Sequence, residues 1–187
     1  MSDSGHLDSA ELFRRHAPFV ANFLARMGVQ RPDIDDLVQE VFLVAHRNGG
    51  YVPGLAKPTT YLASIAFRAA TTHRRKRQTR AFVKCADEVV AYAGDERNSP
   101  ERDADQRRHL QLLDRALAAL DPDKRVVFVM AELHGESVVS IAEGLGIPVD
   151  TAYSRLRAAR RIFRDAAEAL HLVPVRPLRE RLQTVGT

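Results

Sequence analysis

Residues 136–164, ESVVSIAEGLGIPVDTAYSRLRAARRIFR, constrain the fold more than any other stretch. Val138, Ile141, Ala142 and Leu145 form an apolar stripe at helical spacing. Gly146 ends that helix, because glycine adopts the left-handed conformation of a C-terminal cap cheaply. Pro148 cannot continue it, and Asp150 or Thr151 supplies an N-cap for a second helix. The small Ala142, four residues before Gly146, suits two helices that cross closely at a short turn. The second helix then carries Arg155, Arg157, Arg160, Arg161 and Arg164. Two helices around a tight turn, the second rich in arginine, have the layout of a helix-turn-helix whose second helix enters a DNA major groove. A plain helical hairpin with a solvated basic face has the same periodicity but no need of the arginines.

The rest of the chain reads as helical too. Aromatic residues make up 6% of the 187 and tryptophan is absent. The expected class is all-α: two small helical domains joined by a flexible acidic linker, the C-terminal one a helix-turn-helix. The N-terminal domain spans residues 1–84, the linker 85–107, the second domain 108–170 and a loosely ordered tail 171–187. In the first domain, Leu12, Phe19, Val20, Phe23 and Leu24 define a helix that Pro18 is expected to kink or divide. Pro32 and Asp33 open a second helix, with Asp33, Asp35 and Asp36 at the positive end of its dipole. Asn48, Gly49 and Gly50 end it. A third runs from about Thr59 into a basic run. Asp87, Glu88, Asp95, Glu96, Glu101, Asp103 and Asp105 make the linker acidic, and Gly94, Asn98, Ser99 and Pro100 break its periodicity. In the second domain Leu110, Leu113, Leu117 and Leu120 form one stripe, and Pro122 sits behind an Asp121 cap. The next helix runs through Val126, Val127, Phe128, Met130 and Leu133 to Gly135.

Charge placement says more than the net charge of +4. Arg74, Arg75, Lys76, Arg77 and Arg80, with His73 beside them, wrap most of a helix and form a second basic surface suited to phosphates. The flank bearing Asp36, Gln39, Glu40 and Leu43 has the opposite sign, so it faces solvent or a basic protein partner rather than DNA. No phosphate loop, dinucleotide fingerprint or HExxH motif is present. The seven histidines lack ligand-like pairing, and one cysteine, Cys85, can form neither an internal disulfide nor a zinc site. No carboxylate sits in an apolar context that argues for a raised pKa, and the glycines at 49, 50, 144 and 146 read as helix stops. No enzyme activity, metal or cofactor is expected. With no apolar run long enough to span a bilayer and no secretion signal, a cytoplasmic protein without membrane insertion is expected.

DIDDLVQEVFL at 33–43, TTYLASIAFRAATTHRRKR at 59–77 and the stretch 117–161 together resemble the extracytoplasmic-function sigma factors of bacteria. The resemblance covers nearly everything between residues 10 and 170. It implies a subunit that binds core RNA polymerase, recognises promoter DNA at −35 and −10 elements and helps melt it. It also implies an anti-sigma factor as partner, and no small-molecule substrate. By the same resemblance Asp35, Asp36, Gln39, Glu40 and Leu43 face the polymerase. The loop 54–59, with Lys57 and Thr59, captures a flipped −10 base. Tyr61, Arg68, His73, Arg74, Arg75, Lys76, Arg77 and Arg80 follow the melting strand. Thr151, Tyr153, Ser154, Arg155, Arg157, Arg160 and Arg161 read the −35 element. The linker corresponds to a segment that threads the polymerase's RNA exit path. Tyr61 stands where the family usually has tryptophan, Arg68 where it has asparagine, Thr72 where aspartate is common, Ser140 in place of a frequent glutamate and Tyr153 in place of a frequent basic residue. A stand-alone helix-turn-helix regulator is the alternative.

Overall fold

Why Pro18 neither breaks nor divides the first helix is clear from what flanks it. Helix α1, Ser9–Arg26, runs through the proline unbroken, with Leu12 before it and Val20, Phe23 and Leu24 after it all buried in the same core. Burial of several large side chains at roughly 1.5–3 kcal/mol each outweighs the lost hydrogen bond and crowding of one proline. Asp8 is the N-cap; its carboxylate accepts from the Glu11 N–H at 2.7 Å.

The computed structural model describes residues 6–54, 56–83 and 100–171, with only the helical backbone at 80–83 and 100–107. The Arg80 side chain, Cys85, most of the acidic linker and the tail beyond His171 lie outside the described residues. After α1 come α2, Arg31–Arg47, and α3, Pro58–Val83. The second unit holds α4, Pro100–Ala118, α5, Pro122–Phe128, and then α6, Val138–Leu145, and α7, Val149–Ala169. Residues 100–107, read from sequence as the end of the linker, are thus the first two turns of α4. Among the described residues the one β feature is an isolated antiparallel bridge between Leu7 and Tyr51.

Two local signals act as the sequence implies. Asp121 caps α5 by accepting from the Lys124 N–H at 2.9 Å, with Pro122 in the first turn. Gly146, at φ 67°, closes α6 with the Ile147 N–H on the Ala142 carbonyl and its own N–H on that of Glu143, both at 3.0 Å. Two differ. The helix after Phe128 widens into a π turn, Val129–Leu133, closed by the His134 N–H on the Val129 carbonyl at 3.2 Å. Helix α7 begins at Val149, with Pro148 at the cap position, so neither Asp150 nor Thr151 caps it; Asp150 instead sits in the first turn, where its charge complements the dipole.

The two helical units are packed together. Their buried apolar residues form one cluster, from Leu12 through Leu62 and Ala66 to Val126, Met130, Ile141 and Leu156. Phe19 of α1 meets the His134 ring edge-on, centroids 4.8 Å apart. Arg26 pairs with Asp114 of α4. Gly28, at φ 83°, lies against the Arg125 guanidinium, where a Cβ would come within 2.8 Å.

Candidate nucleic-acid and polymerase interface

Helix α2 divides cleanly. Ile34, Leu37, Val38, Val41, Phe42 and Ala45 are buried, while Asp35, Asp36, Gln39, Glu40 and Leu43 are exposed. The 3.6-residue period puts those five on the outward arc, and Leu43 is 55% exposed, an apolar side chain left in water within an acidic flank. Asp33, by contrast, turns inward. Its carboxylate takes His73 Nε2 and Arg77 Nη1 at 3.1 Å each, tying α2 to the basic end of α3, and Arg77 also reaches Gln30.

Helix α3 therefore presents two kinds of basic residue. His73 and Arg77 are engaged with Asp33, whereas Arg68, Arg74, Arg75 and Lys76 project into solvent. Between α2 and α3, Tyr51 is buried and its ring lies 5.9 Å from that of Tyr61, whose hydroxyl accepts from Asn48 at 3.4 Å.

Lys57 and Thr59 meet the second unit. Thr59 donates to the Glu136 carboxylate at 2.9 Å and Lys57 Nζ lies 3.3 Å from its other oxygen. The Glu136 side chain is only 4% exposed. At the next residue, the Thr60 hydroxyl lies 3.3 Å from that of Ser140, and the Thr60 methyl rests against Gly144, where a Cβ would lie 2.8 Å away. Gly144 is therefore no helix stop: it lies inside α6 and lets the N-terminus of α3 approach closely.

Helix α7 sorts its polar residues the same way. Ala152, Leu156 and Ala159 are buried. Arg155 pairs with Asp123 at 3.0 Å, and Arg160 grips Glu132, on the π turn, through two nitrogens at 2.7 and 3.0 Å. Tyr153, Ser154, Arg157 and Arg161 face outward and line a shallow groove of about 530 Å³ with Asp150 and Ala158. Thr151 is half-buried, and its carbonyl accepts from the Ser154 hydroxyl at 2.9 Å.

Three groups were not legible as important: Glu136, Asp114 and Arg125. Burial raises the Asp114 carboxyl from its ordinary value against the pull of Arg26, and it lowers Arg125, with Arg74 adding to that. The reading that no carboxylate lies in a desolvating setting is thus corrected at Asp114, a partly buried carboxylate whose partner, Arg26, comes from the other unit.

Both helical units match known protein families. The family model for Sigma-70 region 2 matches residues 12–80, and that for Sigma-70 region 4 matches 110–162. The RNA polymerase sigma factor CarQ of Myxococcus xanthus is 38% identical over 152 residues, 80% of this chain and 82% of CarQ. The chain belongs to the extracytoplasmic-function RNA polymerase sigma factors. The ECF sigma factor SigL of Mycobacterium tuberculosis is 27% identical over 85% of this sigma factor and 88% of its own length. Among solved structures, the fold resembles that of RpoE in complex with the anti-sigma factor NepR from Bartonella quintana. There the TM-score is 0.66 at 21% identity, over 83% of this chain and 94% of that one. It also resembles CnrH in complex with the cytosolic domain of CnrY, with TM-score 0.57 at 22% identity, over 86% and 88%. This sigma factor directs promoter-specific transcription by RNA polymerase.

Proposed function

We propose that this sigma factor divides its task among three surfaces. The exposed flank of α2, Asp35, Asp36, Gln39, Glu40 and Leu43, docks on core polymerase. Lys57, Thr59 and Tyr61 capture a −10 base, and Arg68, Arg74, Arg75 and Lys76 follow the strand that opens. His73 and Arg77 hold that helix to α2 through Asp33. The outward face of α7 reads the −35 element with Tyr153, Ser154, Arg157 and Arg161, while Arg155 and Arg160 contribute through the ion pairs that orient the helix, and Thr151 steadies its first turn. The observation that carries this reading is the presence of two separate exposed basic faces, Arg74 to Lys76 on α3 and Arg157 with Arg161 on α7, on units that match different sigma regions.

A carboxylate and a DNA strand cannot both hold Lys57 and Thr59. Base capture therefore requires the second unit to leave the first, with the segment between α3 and α4 as the connection. Polymerase supplies a surface on which both can dock apart, and an anti-sigma factor, such as the NepR bound to the structurally similar RpoE, supplies one that keeps them closed. The protein acts in the cytoplasm as a binding subunit without chemistry of its own.

The test is transcription from a mapped start site by reconstituted holoenzyme. Alanine at Arg157 and Arg161 is expected to lower promoter output while leaving core binding intact. Lysine at Asp36 and Glu40 is expected to abolish core binding while leaving the DNA-reading helix folded. If both pairs of changes affect the same step, the division of tasks is wrong.

A further inference from the structure

The segment before α1 does more than cap it. Leu7 and Tyr51 exchange both backbone hydrogen bonds, Leu7 N–H to the Tyr51 carbonyl at 3.0 Å and Tyr51 N–H to the Leu7 carbonyl at 2.8 Å. His6 Nε2 bonds the Gly49 carbonyl at 2.8 Å. Gly50, at φ 89°, brings its backbone so close that a Cβ would run into the Leu7 carbonyl oxygen. Tyr51, held this way, is 8% exposed, and its hydroxyl donates to the Ala56 carbonyl at 2.8 Å. That carbonyl belongs to the peptide group that continues into Lys57, and the Tyr51 ring lies beside Tyr61 in the first turn of α3.

We infer that Tyr51 is a positioning residue for base selection and that residues 6–8 are its brace. The inference rests on the reading of Lys57, Thr59 and Tyr61 as the −10 base-capture set. None of its hydrogen bonds reaches outward to DNA; they fix the plane of the Ala56–Lys57 peptide and the approach of Tyr61 from behind. A base pocket discriminates only as well as its walls are held, and one hydrogen bond on a loop carbonyl stops that loop from settling around the wrong base. Tyrosine at 61 in place of the family's usual tryptophan leaves a smaller wall, which makes support by a second ring more consequential.

The experiment uses holoenzyme built from the full chain, from Tyr51→Phe, and from a chain lacking residues 2–7, which retains the Asp8 cap. The probes are fluorescent single-stranded oligonucleotides of the non-template −10 sequence from a start site mapped in cells, each base replaced in turn. Tyr51→Phe and the deletion are each expected to reduce discrimination at one −10 base by about threefold to tenfold, the factor that one hydrogen bond of ordinary net strength carries. Combining them is expected to add little, because both act through the same carbonyl. Core affinity and binding to a −35 duplex are expected to stay as in the full chain. Unchanged discrimination in Tyr51→Phe overturns the inference. So does a loss shared equally by core affinity and the −35 duplex, since that marks a general folding defect. A full-chain holoenzyme indifferent to every −10 base would instead overturn the reading of the loop itself.

Discussion

Thr59 donates a 2.9 Å hydrogen bond to the buried carboxylate of Glu136, seventy-seven positions away, and thereby locks the start of α3 to the turn that precedes the helix-turn-helix. A residue assigned to the −10 element is thus engaged by the unit assigned to the −35 element. The π turn, Val129–Leu133, and the Glu136 N–H on the Met130 carbonyl at 3.0 Å aim the carboxylate inward.

Replacing Glu136 with glutamine keeps an oxygen for Thr59 but removes the charge opposite Lys57. Free protein is expected to bind single-stranded DNA more tightly, with a salt dependence steeper by about 0.7 in log–log slope, the signature of one further phosphate contact. A slope equal to that of the unaltered chain would mean that Lys57 does not exchange Glu136 for DNA.

Acidification is expected to loosen the packed form. Burial lowers the His134 imidazole from its ordinary 6.5; nearby Glu136 opposes the shift and Arg26 reinforces it. The His16 imidazole is lowered by burial and by Arg15. Below pH 6.5 the unfolded chain takes up protons that the folded one refuses, so stability falls as pH drops through that window. Asp114, whose carboxyl is raised, acts in the opposite sense but only in the more acidic carboxylate range. Melting temperature measured between about pH 7.5 and pH 5.5 is expected to decline, and His134→Gln to flatten that decline in part.

The arginines of α7 are expected to separate by role. Alanine at Arg157 or Arg161 should weaken −35 duplex binding and leave thermal stability unchanged. Alanine at Arg160 should also lower stability, by up to about 1 kcal/mol, because it removes a two-pronged but exposed pair with Glu132. Denaturant titration alongside duplex binding distinguishes the two classes.

On α2, Leu43→Ser is expected to weaken core polymerase binding without loss of stability, since Leu43 lies outside the apolar cluster. A parallel loss of melting temperature would assign it to the fold instead. The affinity change expected for one half-exposed leucine is about tenfold, near 1.4 kcal/mol.

What the sequence makes legible is what depends on near neighbours along the chain. Gly146 and Asp121 with Pro122 act through hydrogen bonds within five residues, and each is where its local chemistry implies. The apolar stripes of α2 and α7 fix which side chains face outward, so the exposed flanks follow from periodicity, whereas the partners proposed for them follow only from the family resemblance. The misses are nonlocal. Pro18 does not divide α1, because the side chains on both of its flanks are buried in the core. Gly144 reads as a stop until Thr60 is brought against it. Glu136 is buried by the approach of α3, and Asp123 and Glu132 fold back to pair with Arg155 and Arg160, contacts that no local pattern announces.

The central claim is that this chain gives core polymerase its promoter. The direct measurement is in vitro transcription with purified protein, purified core polymerase and a genomic fragment whose start site is mapped after overexpression. The account predicts a discrete transcript that requires both components and disappears with Asp36→Lys and Glu40→Lys together. Tight duplex binding by the protein alone, with no core affinity and no transcript, would contradict it and identify a free-standing regulator instead.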